Sequence, residues 1–154
     1  MTPPGLSDGD GLNLARQASL DSTCKKKQLG CALVFTRGRK GYVTGSNGPP
    51  LPLKRCDPCP RLNSHGGTDL GKCRAVHAER AVLLLAGRYG FRTDGAILYS
   101  YMGVPCKDCL LELCAAGVSE IVCIKETYYD ALSKDVLREW VARGGKFRVY
   151  NLEI

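Results

Sequence analysis

His77-Ala78-Glu79 and, one helix and one strand later, Pro105-Cys106-Lys107-Asp108-Cys109 are the stretches whose reading decides this chain. One imidazole and two thiols are metal-ligand types. The cysteines stand at i and i+3, the spacing that puts both on one face of a helix. Three N and S donors suit Zn²⁺ and leave its fourth tetrahedral position open, which separates a catalytic zinc from a structural one. Glu79 is not needed as a ligand and is free to carry protons. A helix beginning at the cysteines favours thiolate over thiol, because its N-terminal dipole stabilises negative charge. Pro105 suits that start, having no N–H to leave unpaired.

Outward from these strings, α and β patterns alternate. Leu12, Leu14, Ala15, Ala18 and Leu20 have helical spacing, with Asp10 as the expected N-cap. Leu29–Phe35 reads as a buried strand, and Gly38 to Gly41 turns it into a second, Tyr42–Ser46. Helices are expected over Val76–Arg88, Cys106–Ala116 and Asp130–Ala142, and strands over Ala96–Tyr101, Val118–Ile124 and Phe147–Tyr150. Asn47-Gly48-Pro49-Pro50 breaks the second strand, and residues 47–72 then carry no regular pattern. A loop of that length in a compact domain is normally functional or pinned. Cys56, Cys59 and Cys73 offer a metal as the pin. The expectation is an α/β protein, a three-layer α/β/α sandwich around a mixed sheet of about five strands. Residues 1–11 are expected as a flexible segment and 12–154 as a single domain.

At 154 residues, 44% apolar and 24% charged, the composition is that of a globular domain able to bury a core without staples. No run approaches the ~20 apolar residues of a membrane helix. The start of the chain has no basic, apolar signal pattern, so a cytoplasmic protein is expected. Nine cysteines in that setting read as metal ligands and small hydrophobes rather than disulfides. The formal charge of +7 has a cluster at Arg37-Gly38-Arg39-Lys40, which reads as a solvated basic turn, and clusters at Lys25-Lys26-Lys27 and Lys54-Arg55, which suit phosphate, whether on a nucleotide or along a polynucleotide. Charge alone does not choose between them.

The paired strings form the H-x-E…P-C-x-x-C signature of zinc deaminases of nucleobases. Its parts imply hydrolytic loss of an amine. Glu79 takes a proton from the attacking water, delivers it to the ring nitrogen beside the attacked carbon, and then protonates the departing amine. From about Leu12 to Tyr150 the chain resembles the deoxycytidylate (dCMP) deaminase family of the cytidine/deoxycytidylate deaminase superfamily, phage and bacterial type. Thr23-Cys24-Lys25-Lys26-Lys27-Gln28-Leu29-Gly30 is similar to its T-C-x-R-R-x-V-G entry, and Gly45-Ser46-Asn47-Gly48-Pro49-Pro50 to its G-Y-N-G-x-P loop. Cys73-Arg74-Ala75-Val76-His77-Ala78-Glu79 is similar to its C-R-x-x-H-A-E segment, and Glu126-Thr127-Tyr128 to its E-T-Y. Ser46 stands where the family has Tyr, Arg80-Ala81 where it has x-Asn, and Tyr101-Met102-Gly103-Val104 departs from its T-x-x form.

The resemblance implies a cytidine deaminase-like fold and conversion of dCMP to dUMP and ammonia. It implies a catalytic zinc on His77, Cys106 and Cys109, with Glu79 catalytic. Asn47 would hydrogen-bond the sugar, and the Ala78 N–H would hold the pyrimidine carbonyl. Cys24, Cys56, Cys59 and Cys73 match the cysteines that hold a structural zinc in the relatives, with His65 able to replace one of them. A homo-hexamer activated by dCTP and inhibited by dTTP is implied, with no membrane and no nucleic-acid partner. The alternatives are a deaminase of a modified dCMP or a free cytosine nucleoside, and then one of tRNA adenosine or single-strand cytosine. The non-enzyme alternative is an inert zinc-bearing binding module. Tyr99, Tyr101, Tyr128 and Tyr129 are candidates for base contact or core, and Arg88 for a phosphate contact or a favourable helix charge.

Overall fold

In the computed structural model, which describes residues 6–150, five strands form one sheet in the order β2-β1-β3-β4-β5. β1 (Gly30–Phe35) lies antiparallel to both β2 (Gly41–Ser46) and β3 (Ile97–Ser100). β3, β4 (Glu120–Cys123) and β5 (Lys146–Val149) run parallel. The hairpin explains the β1–β2 pairing, and the long connection after β2 returns the chain to pair β3 on the other side of β1. Helical crossovers α3 (Lys107–Ala115) and α4 (Ala131–Ala142) explain the parallel pairs, since parallel neighbours need a long connection. Every residue of β1, β3 and β4 is buried, whereas the edge strands β2 and β5 are largely half-exposed. That is why the central strands read as continuous apolar runs. The sheet is therefore mixed and five-stranded, as expected.

The two faces are covered unequally. α1 (Asp8–Leu20) sets Leu12 and Ala15 against Ala32, Val34, Ile97, Tyr99 and Val122. α2 (Ala78–Tyr89), α3 and α4 cover the other face, with Val82, Ala86, Leu110, Leu113 and Leu137 over Leu33, Leu98 and Ile121. The third layer is real, and the site stands on the α2–α3 side.

Most element boundaries shift by one or two residues from expectation, and two differences have a clear cause or bear on the site. The N-cap of α1 is Ser7, not Asp10: Ser7 Oγ accepts from the Asp10 N–H at 3.1 Å, and the Asp10 carboxylate accepts from the Ser7 N–H at 3.0 Å. This reciprocal capping box moves the helix start upstream. Asp8–Gly11, expected in the flexible segment, are its first turn, and residues 1–5 of that segment lie outside the described residues. Close approach of α1 to the sheet requires a bare Cα at Gly30, where a Cβ would meet the Ala15 carbonyl and the Ser19 backbone. The other difference is that His77 and Cys106 are N-caps rather than members of their helices. Among the described residues no helix is long and apolar enough to cross a membrane.

Candidate active site

Two helix N-termini meet where β3 ends, and the reactive residues stand at their caps. His77 (φ −64°, ψ 150°) and Cys106 (φ −62°, ψ 164°) have extended backbones, and neither side chain caps its own helix. They face each other instead. His77 Nδ1 lies 3.6 Å from Cys106 Sγ and 3.4 Å from Cys109 Sγ, the latter carried on the buried face of the first turn of α3. A tetrahedral Zn²⁺ with bonds of about 2.3 Å to sulfur and about 2.0 Å to nitrogen holds such donors about 3.5 Å apart. The trio fits that ion as it stands. It is also the one group of three metal-ligating types among the described residues whose ligand atoms all fall within 4.8 Å.

The electrostatics favour a charged site. The Cys106 thiol is pushed down to about 4, chiefly because Cys109 donates to it, with His77 adding a second hydrogen bond. Cys109 moves up, because its proton is held by that bond and by burial. The His77 imidazole is raised by the same contact with Cys106. Two helix dipoles point their positive ends at these sulfurs. Arg80 in α2 grips Glu112 in α3 through three bonds of 2.7–3.0 Å, tying together the helices that follow the ligands. The Lys107 N–H donates to Asp130 Oδ2 at 3.0 Å, fixing the start of α3 to the cap of α4.

Above the trio opens a cavity of about 580 Å³, lined by His77, Cys106, Glu79 and Asn47 among others. Glu79 is only 3% exposed, and burial raises its carboxyl above the usual range. A carboxylate so placed takes up a proton more readily than one in water. Asn47 lines the cavity, but most of its amide is committed elsewhere. Oδ1 accepts from the Leu29 N–H at 2.8 Å and from the Ser22 hydroxyl at 2.6 Å, and Nδ2 donates to the Lys27 carbonyl at 2.8 Å. These bonds stitch the end of β2 to the entry of β1. One amide proton stays available for a ligand. Ala78 is the first residue of α2, where an N–H has no acceptor within the helix.

Cys24, Cys56, Cys59 and Cys73 surround one cavity of about 20 Å³, room for a single small occupant. Their sulfurs are more widely spread than those of the His77 trio, and His65 is not among the lining residues. Cys24, Cys73, Ala75 and Arg61 line this cavity and the larger one, so the two share a wall. Of the aromatics, Tyr99 is fully buried and donates to Asp8 Oδ1 at 3.0 Å, so it belongs to the core. Tyr101, Tyr128 and Tyr129 do line the catalytic cavity. Arg88 is exposed at the end of α2, with its guanidinium 6.0 Å over the Tyr89 ring. Met102 and Thr127, part of strings quoted above, line the cavity, and sequence reasoning missed Arg61 and Lys125, which reach it from loops and carry no periodicity that could have marked them.

Residues 8–125 match the family model described as the cytidine and deoxycytidylate deaminase zinc-binding region. The chain belongs to the cytidine and deoxycytidylate deaminase family. It is 34% identical over 143 residues to the deoxycytidylate deaminase of Schizosaccharomyces pombe, covering 90% of this chain and 42% of that one. The deoxycytidylate deaminase of Mycobacterium phage D29 is also 34% identical, over 75% of this chain and 92% of its own. The chain thus spans about two fifths of the yeast relative and nearly all of the phage one. Among solved structures, the dCMP deaminase of cyanophage S-TIM5 in complex with dCMP and dUMP superposes with a TM-score of 0.68 at 23% identity, covering 90% and 93% of the two chains. That likeness establishes the deaminase fold.

Proposed function

We propose that this chain hydrolyses dCMP to dUMP and ammonia. The observation that carries the reading is the buried Glu79 lining the same cavity as His77 and Cys106 of the trio. The deoxycytidylate deaminases at 34% identity support dCMP as the substrate.

Zn²⁺ held by His77, Cys106 and Cys109 would polarise water and lower its pKa. The remaining roles fall to the chain. Glu79 accepts a proton from the attacking water and passes it to the ring nitrogen beside the carbon that bears the amino group. As the tetrahedral carbon collapses to a carbonyl, Glu79 takes the proton from its hydroxyl and passes it to the departing amine, and ammonia leaves. One carboxyl serves both transfers because burial keeps it from being held in the ionised form. The Ala78 N–H and the remaining Asn47 amide proton are the donors for the pyrimidine carbonyl and the sugar.

A second zinc on Cys24, Cys56, Cys59 and Cys73 is part of the proposal. It is supported by the shared small cavity and the C-x-x-C spacing of Cys56 and Cys59. The family resemblance supports homo-hexameric assembly with dCTP and dTTP as opposed effectors, and the cysteine usage supports a reducing, cytoplasmic setting. Ammonia release from dCMP, deoxycytidine and CMP tests the reading, with Glu79→Gln as control. Turnover of dCMP that the variant loses supports it. Absence of turnover in a zinc-loaded protein rejects it in favour of a modified base or a polynucleotide.

A further inference from the structure

We infer that Arg61, held in place by Lys26, makes this site choose a phosphorylated nucleoside over a free one, an inference that rests on the deaminase reading above. Among the described residues three arginines are half-buried: Arg61, Arg80 and Arg148. Arg80 is matched by Glu112 at 2.7 Å, and Arg148 by Asp8 and Glu120 at 2.8 and 2.7 Å. Arg61 meets no carboxylate among the described residues; its Nε donates to the Thr68 carbonyl at 2.8 Å. A partly desolvated charge without a counter-charge is costly. Here it faces the catalytic cavity, whose lining holds Lys26, Lys27 and Lys125 as further cations and Glu79 as the one carboxylate. Thiolates of the adjoining four-cysteine cavity, which Arg61 also lines, would supply negative charge on one side, and on the catalytic side the counter-charge is the ligand's.

Arg61 is distinguished from the lysines by how firmly it is held. Its backbone N–H points to Cys59 Sγ at 3.4 Å, its Nε is fixed by Thr68, and its carbonyl receives Lys26 Nζ at 2.7 Å. The same ammonium donates to the Ser64 carbonyl. Lys26 thus spends its donors on the loop and acts as a positioning residue. Lys27 and Lys125 are exposed and have no side-chain partner among the described residues. A planar guanidinium anchored at Nε keeps its outer N–H groups for two acceptors at once, which matches a phosphate monoester and loses less freedom on binding than a mobile ammonium does.

The test is the ratio of kcat/KM for dCMP to that for deoxycytidine in the wild type, Arg61→Met, Arg61→Lys, Lys27→Met, Lys125→Met and Lys26→Met. Dissociation constants of dUMP and deoxyuridine are measured alongside. The ratio is expected to fall about 10- to 100-fold in Arg61→Met, the loss of charge-assisted bonds to an anion, to recover in part in Arg61→Lys, and to fall less in Lys27→Met and Lys125→Met. Lys26→Met lowers the same ratio and speeds amide hydrogen exchange over residues 56–73. An Arg61→Met ratio within about twofold of wild type overturns the inference, and so does a larger effect from either exposed lysine. A wild type that deaminates neither compound ends the dCMP reading. Arg61 is then judged by binding alone: tighter binding of dUMP than deoxyuridine, lost in Arg61→Met, upholds its role, and equal binding removes it.

Discussion

Glu79 and His77 are two positions apart, yet their surroundings give them different work. His77, at the cap, turns Nδ1 toward two sulfurs, while Glu79, inside the first turn, is buried at the floor of the cavity. Among the described residues no other residue hydrogen-bonds the Glu79 side chain, so replacing it would remove the proposed proton carrier and little structural support. Glu79→Gln is expected to lower the rate of ammonia release from dCMP by about 10²–10⁴-fold. Zinc content, read by elemental analysis, should stay at the wild-type level. Loss of zinc along with activity would show that Glu79 supports the metal site itself.

At the scale of elements, the site depends on helices seated on a sheet that other residues hold close. At Gly30 the backbones of α1 and β1 approach closely, and the missing Cβ leaves room for the Ala15 carbonyl. Backbone cannot yield there as a flexible side chain would. Gly30→Ala is expected to cost about 1–3 kcal/mol, the usual range for overpacking, read as a lowered midpoint in urea with an unchanged slope. The loop between β2 and α2 is a different case, since the metal proposed on its cysteines, rather than packing, would order it. Cys59→Ser is expected to lower the zinc bound per chain while leaving the trio's ion in place, and to expose residues 56–73 to protease. Cys106→Ser should do the reverse, removing the catalytic ion and sparing the loop. Equal protease resistance in the two variants would count against a metal in the four-cysteine cavity.

At the scale of the whole molecule, a polar network joins the two ends of the described chain. Arg148 in β5 pairs with Asp8 in α1 and Glu120 in β4, and Tyr99 donates to the same Asp8 from the central strand. The Arg148 guanidinium, against the smaller cost of burial, holds the Asp8 carboxyl below its ordinary value of 3.8. A carboxylate with a depressed folded pKa contributes stability in full above the unfolded value, and that contribution fades as pH falls through the folded one. Asp8→Asn is therefore expected to destabilise the protein by about 1.5–3 kcal/mol at neutral pH. The gap from wild type should hold constant down to about pH 4 and narrow below it, as denaturant titrations across that range would record. A gap independent of pH below that point would mean that the Asp8 charge is not what holds α1 to β5.

Much of this was legible from sequence because it is local. Apolar runs bounded by Gly and Pro marked the five strands, and 3.6-residue spacing marked the helices. Ligand type and spacing brought His77, Cys106 and Cys109 together before any fold was known, since two short motifs at helix starts carry their own geometry. The capping box of Ser7 and Asp10 was also written in the sequence, though the reading settled on the wrong member of the pair. What tertiary structure alone decided lies where the chain has no period. Asn47 spends its amide on the entry to β1 because β2 happens to end beside Leu29 and Lys27. Arg61 reaches the cavity because a patternless loop folds back and Lys26 binds its carbonyl, 35 positions away in the chain. The separation has a physical cause: periodicity and capping act over one or two turns of backbone, whereas a loop side chain is placed by whichever distant groups satisfy its hydrogen bonds.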